Sequence, residues 1–519
     1  MKKNNWHDFY DEISLLGMGG NGKVYKVNRK KDNELLALKE LYQNSKEKKE
    51  RFEREVQIVT QNQQTVSGII PICNSDLKDY WYTMPIAIPI MKYIDDNQLE
   101  MLDIIKGTIF LCSTLETLHQ KNIEHRDIKP DNIYFYKGKF CFSDFGLADC
   151  LENTNDDTKT NKGLGAIFTI APEMKRDPRH ADAKKADVFS LAKTLWMLLT
   201  GDKKGFDGEY DYSNKKLCIY NKGRAKGKHT AEIEMALRDA TNSDPENRPT
   251  ISQFKKELEN WVNIYRDGKK SQESDWRFIK TQMFGKYSPR TVCWENNTDI
   301  VNILNIVGSS AGYNHMLFSS QGGLDFSSAK NANEESCIEL CDTTGFYYVG
   351  KPKMLSYESF DNNSKWNYFL LEFDQIKPIF DKHMGDYECE YLIEDVPGHY
   401  LPEEDYDFNS ESSASKEISR TKEVSRYVKG KFLFVQKTGP YNGIRNTYDG
   451  RHGDVSRNEF RSYIECLIKT YSILDDFLKR KNPGYTQKER ERKILFSDTF
   501  EKNPFKSKKG SNESKTIPK

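Results

Sequence analysis

The sequence lacks the features that mark membrane, secreted and strongly charged proteins. No run approaches the roughly 18 consecutive apolar residues that a membrane span needs, and the opening MKKNNWHDFYDEI has no apolar stretch typical of a secretory signal. Lysine plus arginine (79) nearly cancels aspartate plus glutamate (78), so no excess charge favours nucleic acid or an anionic membrane as a partner. We therefore expect a cytoplasmic protein without a membrane partner.

Paired cysteine motifs are also missing. The ten cysteines are scattered and form no C-x-x-C pair. Cys337 and Cys341 lie four residues apart, without histidines at zinc-site spacing, so we interpret both as small apolar residues. A reducing cytosol argues against a disulfide framework.

What the sequence does contain is enough apolar and aromatic material for more than one core. At 519 residues, with 28 tyrosines and 28 phenylalanines, the chain is too long for a single core. Short β-type runs and turns alternate early, helical patterns follow, and a second, aromatic and β-rich region comes after a polar stretch. The predicted segments are a strand-rich lobe at 10–87 and a helical lobe at 88–265 within a first domain of 1–265, a linker at 266–275, a mixed α+β domain at 276–480, and a basic, disordered tail at 481–519.

Apolar spacing of three and four residues predicts individual helices. One covers about 99–120, and another begins near Asp187. A long amphipathic helix is predicted at about 457–480, where Ser456 and Glu459 form an S-x-x-E capping box.

A glycine-rich segment near the start indicates a phosphate-binding loop. Residues 17–24 read GMGGNGKV, and a second strand follows, whereas a dinucleotide-binding loop would open a helix. Lys39, in the strand LLALKEL, is a candidate partner of phosphate groups. Glu55 on the next helix is the preferred carboxylate to hold it, with Glu53 and Glu50 as competitors on the same helix.

The most specific motifs follow in a fixed order. HRDIKPDN at 125–132 precedes DFG at 144–146 and APE at 171–173. In this order and spacing the motifs resemble those of the eukaryotic-like Ser/Thr protein kinases, and the resemblance covers about 10–265. It implies an α+β, bilobal fold with a small β-rich N-lobe and a helical C-lobe.

The resemblance also implies roles for these residues. Asp127 would orient the acceptor hydroxyl and take its proton, and Lys129 would steady the transferred phosphoryl group. Asn132 and Asp144 would bind Mg²⁺, with Mn²⁺ as an alternative, beside ATP. The implied ATP-binding residues are Gly17, Gly19, Gly22, Val24, Ala37, Lys39, Glu55, Met84 and Ala87.

Further matches concern the frame of the site. By resemblance, Asp187 would brace the catalytic-loop backbone, and Glu173 with Arg248 would form a buried ion pair whose disruption costs about 3–5 kcal/mol. Pro85 lies at a hinge position that contributes only its carbonyl to adenine, so its missing N–H removes nothing required.

The resemblance extends to regulation. Arg126 would meet a phosphorylated residue of the segment between DFG and APE, and autophosphorylation is predicted there. The candidates are Thr160 first and Thr158 second, followed by Thr154 and Thr169.

One residue of that segment departs from the family pattern. Ala166 stands where a threonine is usual, which leaves the acceptor preference open. Ile167 and Phe168 favour an apolar substrate residue after the acceptor.

The second half contains no catalytic pattern, and we interpret it as a sensor or docking module. Two alternatives remain: a catalytically weak nucleotide-binding scaffold and a kinase of small molecules. Soluble bacterial relatives include stress and phage-defence enzymes, so such a role is compatible with the resemblance. Protein substrates and ATP are the expected partners, while the oligomeric state is not indicated.

Overall fold

A computed structural model divides the chain into two compact units, residues 1–268 and 269–519. The residues that it describes are 6–19, 22–42, 45–148, 168–214, 216–285, 289–309, 314–318, 321–333, 335–345, 347–360, 364–373, 392–396, 399–402, 426–427, 430–443, 455–497 and 500.

The first unit begins with a five-stranded antiparallel sheet in the order β1-β2-β3-β5-β4. A helix, α1 (Lys46–Asn62), connects β3 to β4. The β-rich N-lobe expected from the sequence is therefore confirmed. The strands are Tyr10–Gly19 (β1), Gly22–Arg29 (β2), Leu35–Glu40 (β3), Asn74–Asp76 (β4) and Trp81–Pro85 (β5).

Helix α1 shows how the sequence positions a charged residue inside the fold. Its N-cap is Ser45, whose side chain accepts a hydrogen bond from the Lys48 amide. Phe52 and Val56 are buried at helical spacing. Glu55 shares this face, and it is buried although it is acidic.

The rest of the first unit is mainly helical, with a small sheet in the order β6-β7-β8. Its strands are Ile88–Pro89 (β6), Ile133–Tyr136 (β7) and Lys139–Phe142 (β8). Its helices are Ile90–Asp96 (α2), Met101–Gln120 (α3), Pro172–Arg176 (α4), Ala183–Thr200 (α5), Ala231–Ala240 (α6) and Ile251–Tyr265 (α7). Together the two regions give the bilobal, α+β arrangement expected from the sequence.

Helix α5 starts earlier than the sequence suggested. It begins at Ala183 after the N-cap Asp182, whose side chain accepts a hydrogen bond from the Lys185 amide. The first turn reads AKKA and lacks large apolar residues. The prediction relied on the spacing of apolar residues, and it therefore placed the start near Asp187, one turn too late. Asp187 instead lies inside the helix and is fully buried.

The second unit consists of sheets and helices. Its sheets have the orders β11-β10-β20-β16-β15-β9, β12-β13-β14-β19 and β17-β18. The strands are Thr291–Trp294 (β9), Asn314–Phe318 (β10), Gln321–Leu324 (β11), Phe326–Asn331 (β12), Ile338–Asp342 (β13), Tyr347–Gly350 (β14), Pro352–Glu358 (β15), Tyr368–Phe373 (β16), Leu392–Val396 (β17), His399–Pro402 (β18), Arg426–Tyr427 (β19) and Gly430–Gln436 (β20). The helices are Gly268–Phe284 (α8), Asn297–Gly308 (α9), Arg457–Lys481 (α10) and Gln487–Leu495 (α11).

The central strands of this unit are buried on both faces. On β16, Phe369 belongs to a core with Trp276 of α8, while the neighbouring Tyr368 belongs to a second core with Phe460 of α10. Successive residues of a strand point to opposite faces, so one strand serves both cores. The Ser456–Glu459 capping box at the start of α10 is present as predicted.

Two segments differ from expectation. The proposed linker at 266–275 contains the first half of α8, in which Ser271, Ser274 and Asp275 are buried. The proposed disordered tail at 481–519 contains α11, and Ile494 is buried in the same core as Phe460. Both segments are polar on average, so their composition gave no indication of the few residues that are buried. Residues 501–519 lie outside the described ranges.

Within the ranges that the structure describes, no helix combines the length and the apolar character needed to cross a membrane.

Candidate active site

One face of the N-terminal sheet gathers residues expected to contact the nucleotide. Val24 pairs with Lys39, and Ala37 pairs with Met84. Cross-strand partners and alternate residues of a strand share a face. The apolar side chains of Val24, Ala37 and Met84 therefore lie on the same face of the sheet as the Lys39 ammonium.

Lys39 is the centre of a buried polar cluster. Its Nζ donates to Glu55 Oε2 at 2.8 Å and Oε1 at 2.9 Å, and to Asp144 Oδ1 at 3.4 Å. Lys39 and Glu55 are only 7% and 3% exposed, so this contact is shielded from water. Of the three carboxylates considered from the sequence, Glu55 is the one that contacts Lys39. In contrast, Glu53 accepts a hydrogen bond from Tyr80.

Tyr82 also belongs to this cluster, and sequence reasoning missed it. Its hydroxyl donates to Glu55 Oε1 at 2.8 Å, and it is the cross-strand partner of Lys39. Its position two residues before Met84 was the available signal, because alternate residues of β5 share a face. The tyrosine orients the carboxylate that in turn holds the lysine.

The electrostatics favour the charged forms of Lys39 and Asp144. Burial alone would lower the pKa of Lys39, but the charges of Asp144 and Glu55 together raise it well above its usual value. Burial would likewise raise the pKa of Asp144, but Lys39 and Lys129 hold it below its usual value. The site therefore retains an ammonium and a carboxylate side by side.

The segment after His125 forms a second polar cluster. Lys129 Nζ donates to Asp127 Oδ2 at 2.7 Å, and Asn132 Nδ2 donates to the same oxygen at 2.9 Å. The Ser143 amide donates to the Asn132 carbonyl at 2.9 Å. Because Asp144 follows Ser143 directly, this bond joins the Asp127 cluster to the Lys39 cluster.

Helix α5 stabilises the backbone of this segment through the side chain of Asp187. The Asp187 carboxylate accepts from the amides of His125 and Arg126, each at 2.8 Å. It also contacts His119 Nε2 at 3.0 Å, a partner that sequence reasoning did not find. Arg126 has a φ of 64°, a conformation that non-glycine residues rarely adopt.

The glycine-rich segment is described only at its two ends. Gly17 pairs with Val24, and Gly19 pairs with Gly22, while residues 20 and 21 lie outside the described ranges. A Cβ atom on Gly22 would lie 2.5 Å from the Glu40 carbonyl oxygen. Glycine at this position therefore allows β2 to pass close to the end of β3.

The donor set fits a divalent cation. Asp144 supplies a carboxylate and Asn132 a side-chain amide oxygen, and the Asp127 carboxylate lies beside Asn132. Oxygen donors of this kind suit Mg²⁺ or Mn²⁺.

The chain also leaves room for the Asp144 carboxylate. A Cβ atom on Gly146 would lie 3.3 Å from Asp144 Oδ1, so a side chain there would crowd this carboxylate, whereas its distance of 3.9 Å from Glu55 Oε2 is an ordinary contact.

The predicted hinge follows directly from β5. Met84 and Pro85 are its last residues, and Pro85 pairs with Leu36. Ala87 lies half-buried in the short connection to β6. Met84 also packs against the main core of the first unit.

Glu173 and Arg248 form an ion pair at the base of α4. Arg248 donates to Glu173 Oε1 at 2.5 Å and Oε2 at 2.8 Å, and its Nε donates to the Asn242 carbonyl at 2.6 Å. Arg248 is 2% exposed. The bidentate contact links the APE segment to the loop that precedes α7.

Only some of the predicted regulatory residues lie within the described ranges. Arg126 Nη2 lies 3.6 Å from Glu124 Oε2. Thr169 is 1% exposed, which places this candidate phosphorylation site in the interior. The other predicted residues of the segment, Thr154, Thr158, Thr160, Ala166 and Ile167, lie outside the described residues.

The chain was compared with known proteins. Residues 10–259 match the family model "Protein kinase domain". A mimivirus protein, R436 of Acanthamoeba polyphaga mimivirus, is named as a serine/threonine-protein kinase. It is 31% identical to this chain over 183 residues, which cover 34% of this chain and 63% of R436.

Two bacterial proteins are similar to the same region. Serine/threonine-protein kinase PrkC of Bacillus subtilis (strain 168) is 30% identical over 215 residues, covering 38% of this chain and 31% of PrkC. Serine/threonine-protein kinase PknD of Protochlamydia amoebophila (strain UWE25) is 29% identical over 230 residues, covering 37% of this chain and 23% of PknD. The chain thus spans less than two thirds of the length of each of these relatives.

The ordered motifs, the bilobal first unit and the family match agree with one another. Residues 10–259 are therefore a protein kinase domain, and this domain is similar to bacterial serine/threonine-protein kinases.

Proposed function

We propose that this chain is an ATP-dependent kinase that transfers the γ-phosphoryl group to serine or threonine hydroxyls of proteins. The observation that carries the proposal is the Lys39 contact, in which one ammonium bridges Glu55 of α1 and Asp144 of the DFG motif. In this family, that arrangement positions ATP phosphates for transfer. The expected substrates are ATP and proteins.

The chain's own residues have separable roles in this proposal. Asp127 Oδ2 accepts from Lys129 and Asn132, and its Oδ1 has no hydrogen-bond partner among the described residues. That free oxygen can accept the proton of an acceptor hydroxyl, and Lys129 can neutralise charge beside it. Lys39 would hold the α- and β-phosphates, while Val24, Ala37 and Met84 would enclose the adenine.

Asn132 and Asp144 are the residues that would hold the metal. Asn132 Nδ2 donates toward Asp127, so the side-chain oxygen Oδ1 of Asn132 is available as a ligand. A bound divalent cation neutralises phosphate charge during transfer. Mg²⁺ is the proposed ion, and Mn²⁺ is the alternative.

Regulation within the first unit is also part of the proposal. Arg126 Nε is buried without a hydrogen-bond partner among the described residues, which supports a role in binding a phosphorylated residue. We propose autophosphorylation at Thr160 or Thr158. Because Thr169 is buried, it drops out as a candidate.

The second unit would act as a sensor or docking module for the kinase. Its two cores and capped helices support an independently ordered domain. A role in bacterial stress or phage-defence signalling stays a prediction.

The test uses the full-length chain with radiolabelled ATP and Mg²⁺. Wild type is compared with Asp127→Asn and Lys39→Met, and Asp131→Asn serves as a matched control because this exposed carboxylate lies in the same segment. Loss of the base or of the phosphate-binding ammonium should lower transfer at least about 100-fold. Asp131→Asn should retain wild-type transfer.

Mass spectrometry of the same samples locates the label. Phosphate on residues 154–160 of wild type, absent from Asp127→Asn, supports autophosphorylation. Nucleotide binding without transfer in any sample would favour the scaffold alternative, and transfer that survives in Asp127→Asn would contradict the proposed role of that residue.

A further inference from the structure

A pocket in the first unit lies beside the residues that lead into α4. Its cavity volume is about 190 Å³. Phe168, Ile170 and Pro172 form an apolar wall. Since Ile167 and Phe168 are the residues predicted to contact the substrate after its acceptor, the pocket adjoins the expected path of the substrate.

The charged residues of this pocket are mostly basic. Lys175 and Arg176 of α4 and Lys193 of α5 line it, against the single carboxylate of Asp207. No carboxylate within the described part of the chain lies within 4 Å of these three cations. The pocket thus combines an apolar wall with a formal charge of about +2 when Lys193 is protonated.

Lys193 is unusual because it is a lysine in the interior of a buried helix. It is 2% exposed, and its Nζ donates to the carbonyls of Phe206 at 2.6 Å and Gly208 at 2.7 Å. The ammonium also lies 3.4 Å from the Phe206 ring centroid. Two of its three N–H groups are therefore satisfied by neutral oxygens, and no carboxylate among the described residues contacts the ammonium directly.

A buried cation without a directly bound anion is energetically unfavourable. Burial lowers the pKa of Lys193 to about 7, and Lys175 opposes its charge while Asp207 favours it. An anion in the pocket would favour the charged form. If Lys193 only stabilised the turn at 206–208 through its hydrogen bonds, the presence of Lys175 and Arg176 in the same pocket would have no explanation.

We propose that this pocket binds an acidic or phosphorylated side chain of the protein substrate, at a position C-terminal to the phosphorylated residue. The inference rests on the proposed kinase function and specifies its substrate class. It also revises the sequence expectation of an apolar residue after the acceptor, because Phe168 forms only one side of the pocket. The apolar wall would pack against the stem of the acidic side chain.

The experiment reads substrate preference directly. Peptides from a digested proteome, either dephosphorylated or left phosphorylated, are treated with full-length kinase, ATP and Mg²⁺, and new sites are identified by mass spectrometry against Asp127→Asn. Wild type should enrich Asp and Glu within three positions after the acceptor. A larger enrichment of phosphoserine in the phosphorylated library would identify a phosphoryl group as the preferred anion.

Variants separate recognition from a structural role. Lys193→Met removes the charge at similar length, and the double variant K175Q/R176Q removes the other two cations while keeping the Lys193 hydrogen bonds. Both should reduce the acidic enrichment at least about threefold, while phosphorylation of peptides with apolar residues there persists. Lys203→Met is the matched control, because this exposed lysine of the same region does not line the pocket.

The outcomes separate the two proposals. Phosphorylated sites without acidic enrichment in wild type, or enrichment that survives both variants, would overturn the pocket assignment and leave the kinase function intact. A chain that labels itself but no peptide would also refute the assignment. Absence of any transfer above Asp127→Asn would instead remove the proposed function.

Discussion

The two units bury carboxylates in different surroundings. In the first unit, Glu55 and Asp144 share the single ammonium of Lys39. In the second unit, Glu358 is 1% exposed, is paired with Arg461 and accepts from Thr291 Oγ1 at 2.7 Å. One ammonium cannot neutralise two carboxylates, so the Lys39 cluster keeps a negative charge that a ligand could balance. The Glu358 carboxylate, in contrast, is neutralised and hydrogen-bonded by residues of its own unit. Buried charge alone is therefore a weak indicator of a site.

Glu234 of the first unit is buried in a third kind of surroundings, because no cation of the described residues contacts it. Glu234 accepts from the Tyr210 hydroxyl and from the Tyr220 amide, the latter at 3.2 Å. Burial raises its pKa to about 7. The three cases differ in what happens to the carboxylate charge. Glu55 shares a cation with Asp144, Glu358 has its own cation, and burial favours the neutral form of Glu234.

Breaking the pair in the second unit should have the largest effect on stability. Arg461→Met leaves Glu358 buried without its main cation, so we expect a loss of about 3–5 kcal/mol in the free energy of unfolding. Hydrogen exchange of β15 and α10, which carry the pair, would measure it.

The double variant E358M/R461M is the control for this loss, because it removes both charges and should recover much of the stability. Equal protection of β15 and α10 in wild type and Arg461→Met would contradict the comparison between the two units.

Glu234 offers a test that depends on pH. The folded state keeps the Glu234 proton up to about pH 7, whereas the unfolded state releases it near pH 4.5. The folded state therefore holds the extra proton, so its stability falls as pH rises from about 4.5 to 7. From the difference between these two pKa values, this one group contributes a change of about 3 kcal/mol.

Glu234→Gln should remove that dependence. Denaturant unfolding at pH 5 and pH 8 would measure it, with the exposed Glu259→Gln as the control. If the difference in stability between Glu234→Gln and wild type were the same at both pH values, Glu234 would not be the group that titrates.

The smallest expected effect concerns helix caps, for which the two units should behave alike. Thr250 is the N-cap of α7 and Ser456 is the N-cap of α10, each with a complete capping box. Thr250→Ala and Ser456→Ala should each cost about 1 kcal/mol. Hydrogen exchange in the first turn of each helix would measure both, and unequal losses would show that tertiary context outweighs the local motif.

Much of the first unit could be predicted from the sequence because its motifs have fixed spacing. The choice of Glu55 over Glu53 and Glu50 agrees with the contact that Lys39 makes. In contrast, Tyr82 and His119 were missed because they lie in apolar strand and helix patterns, where each resembles an ordinary core residue.

The second unit was less predictable for a physical reason. Alternation identifies a strand but does not identify its partner, and β20 lies between β10 and β16 although a long stretch of chain separates it from both. The pairing depends on the complete cores on each face, which local sequence does not reveal. Helices α8 and α11 were missed because their few buried residues are diluted among polar ones.

Arg126 and Asp144 both adopt left-handed backbone conformations, with φ of 64° and 60°. Each such residue costs about 1–3 kcal/mol. The hydrogen bond that the Arg126 amide donates to Asp187 and the one that Lys39 donates to Asp144 help to offset that cost in the chain without a nucleotide. The consequence is preorganisation. In the proposed function, the binding energy of ATP would then not be spent on ordering these two residues.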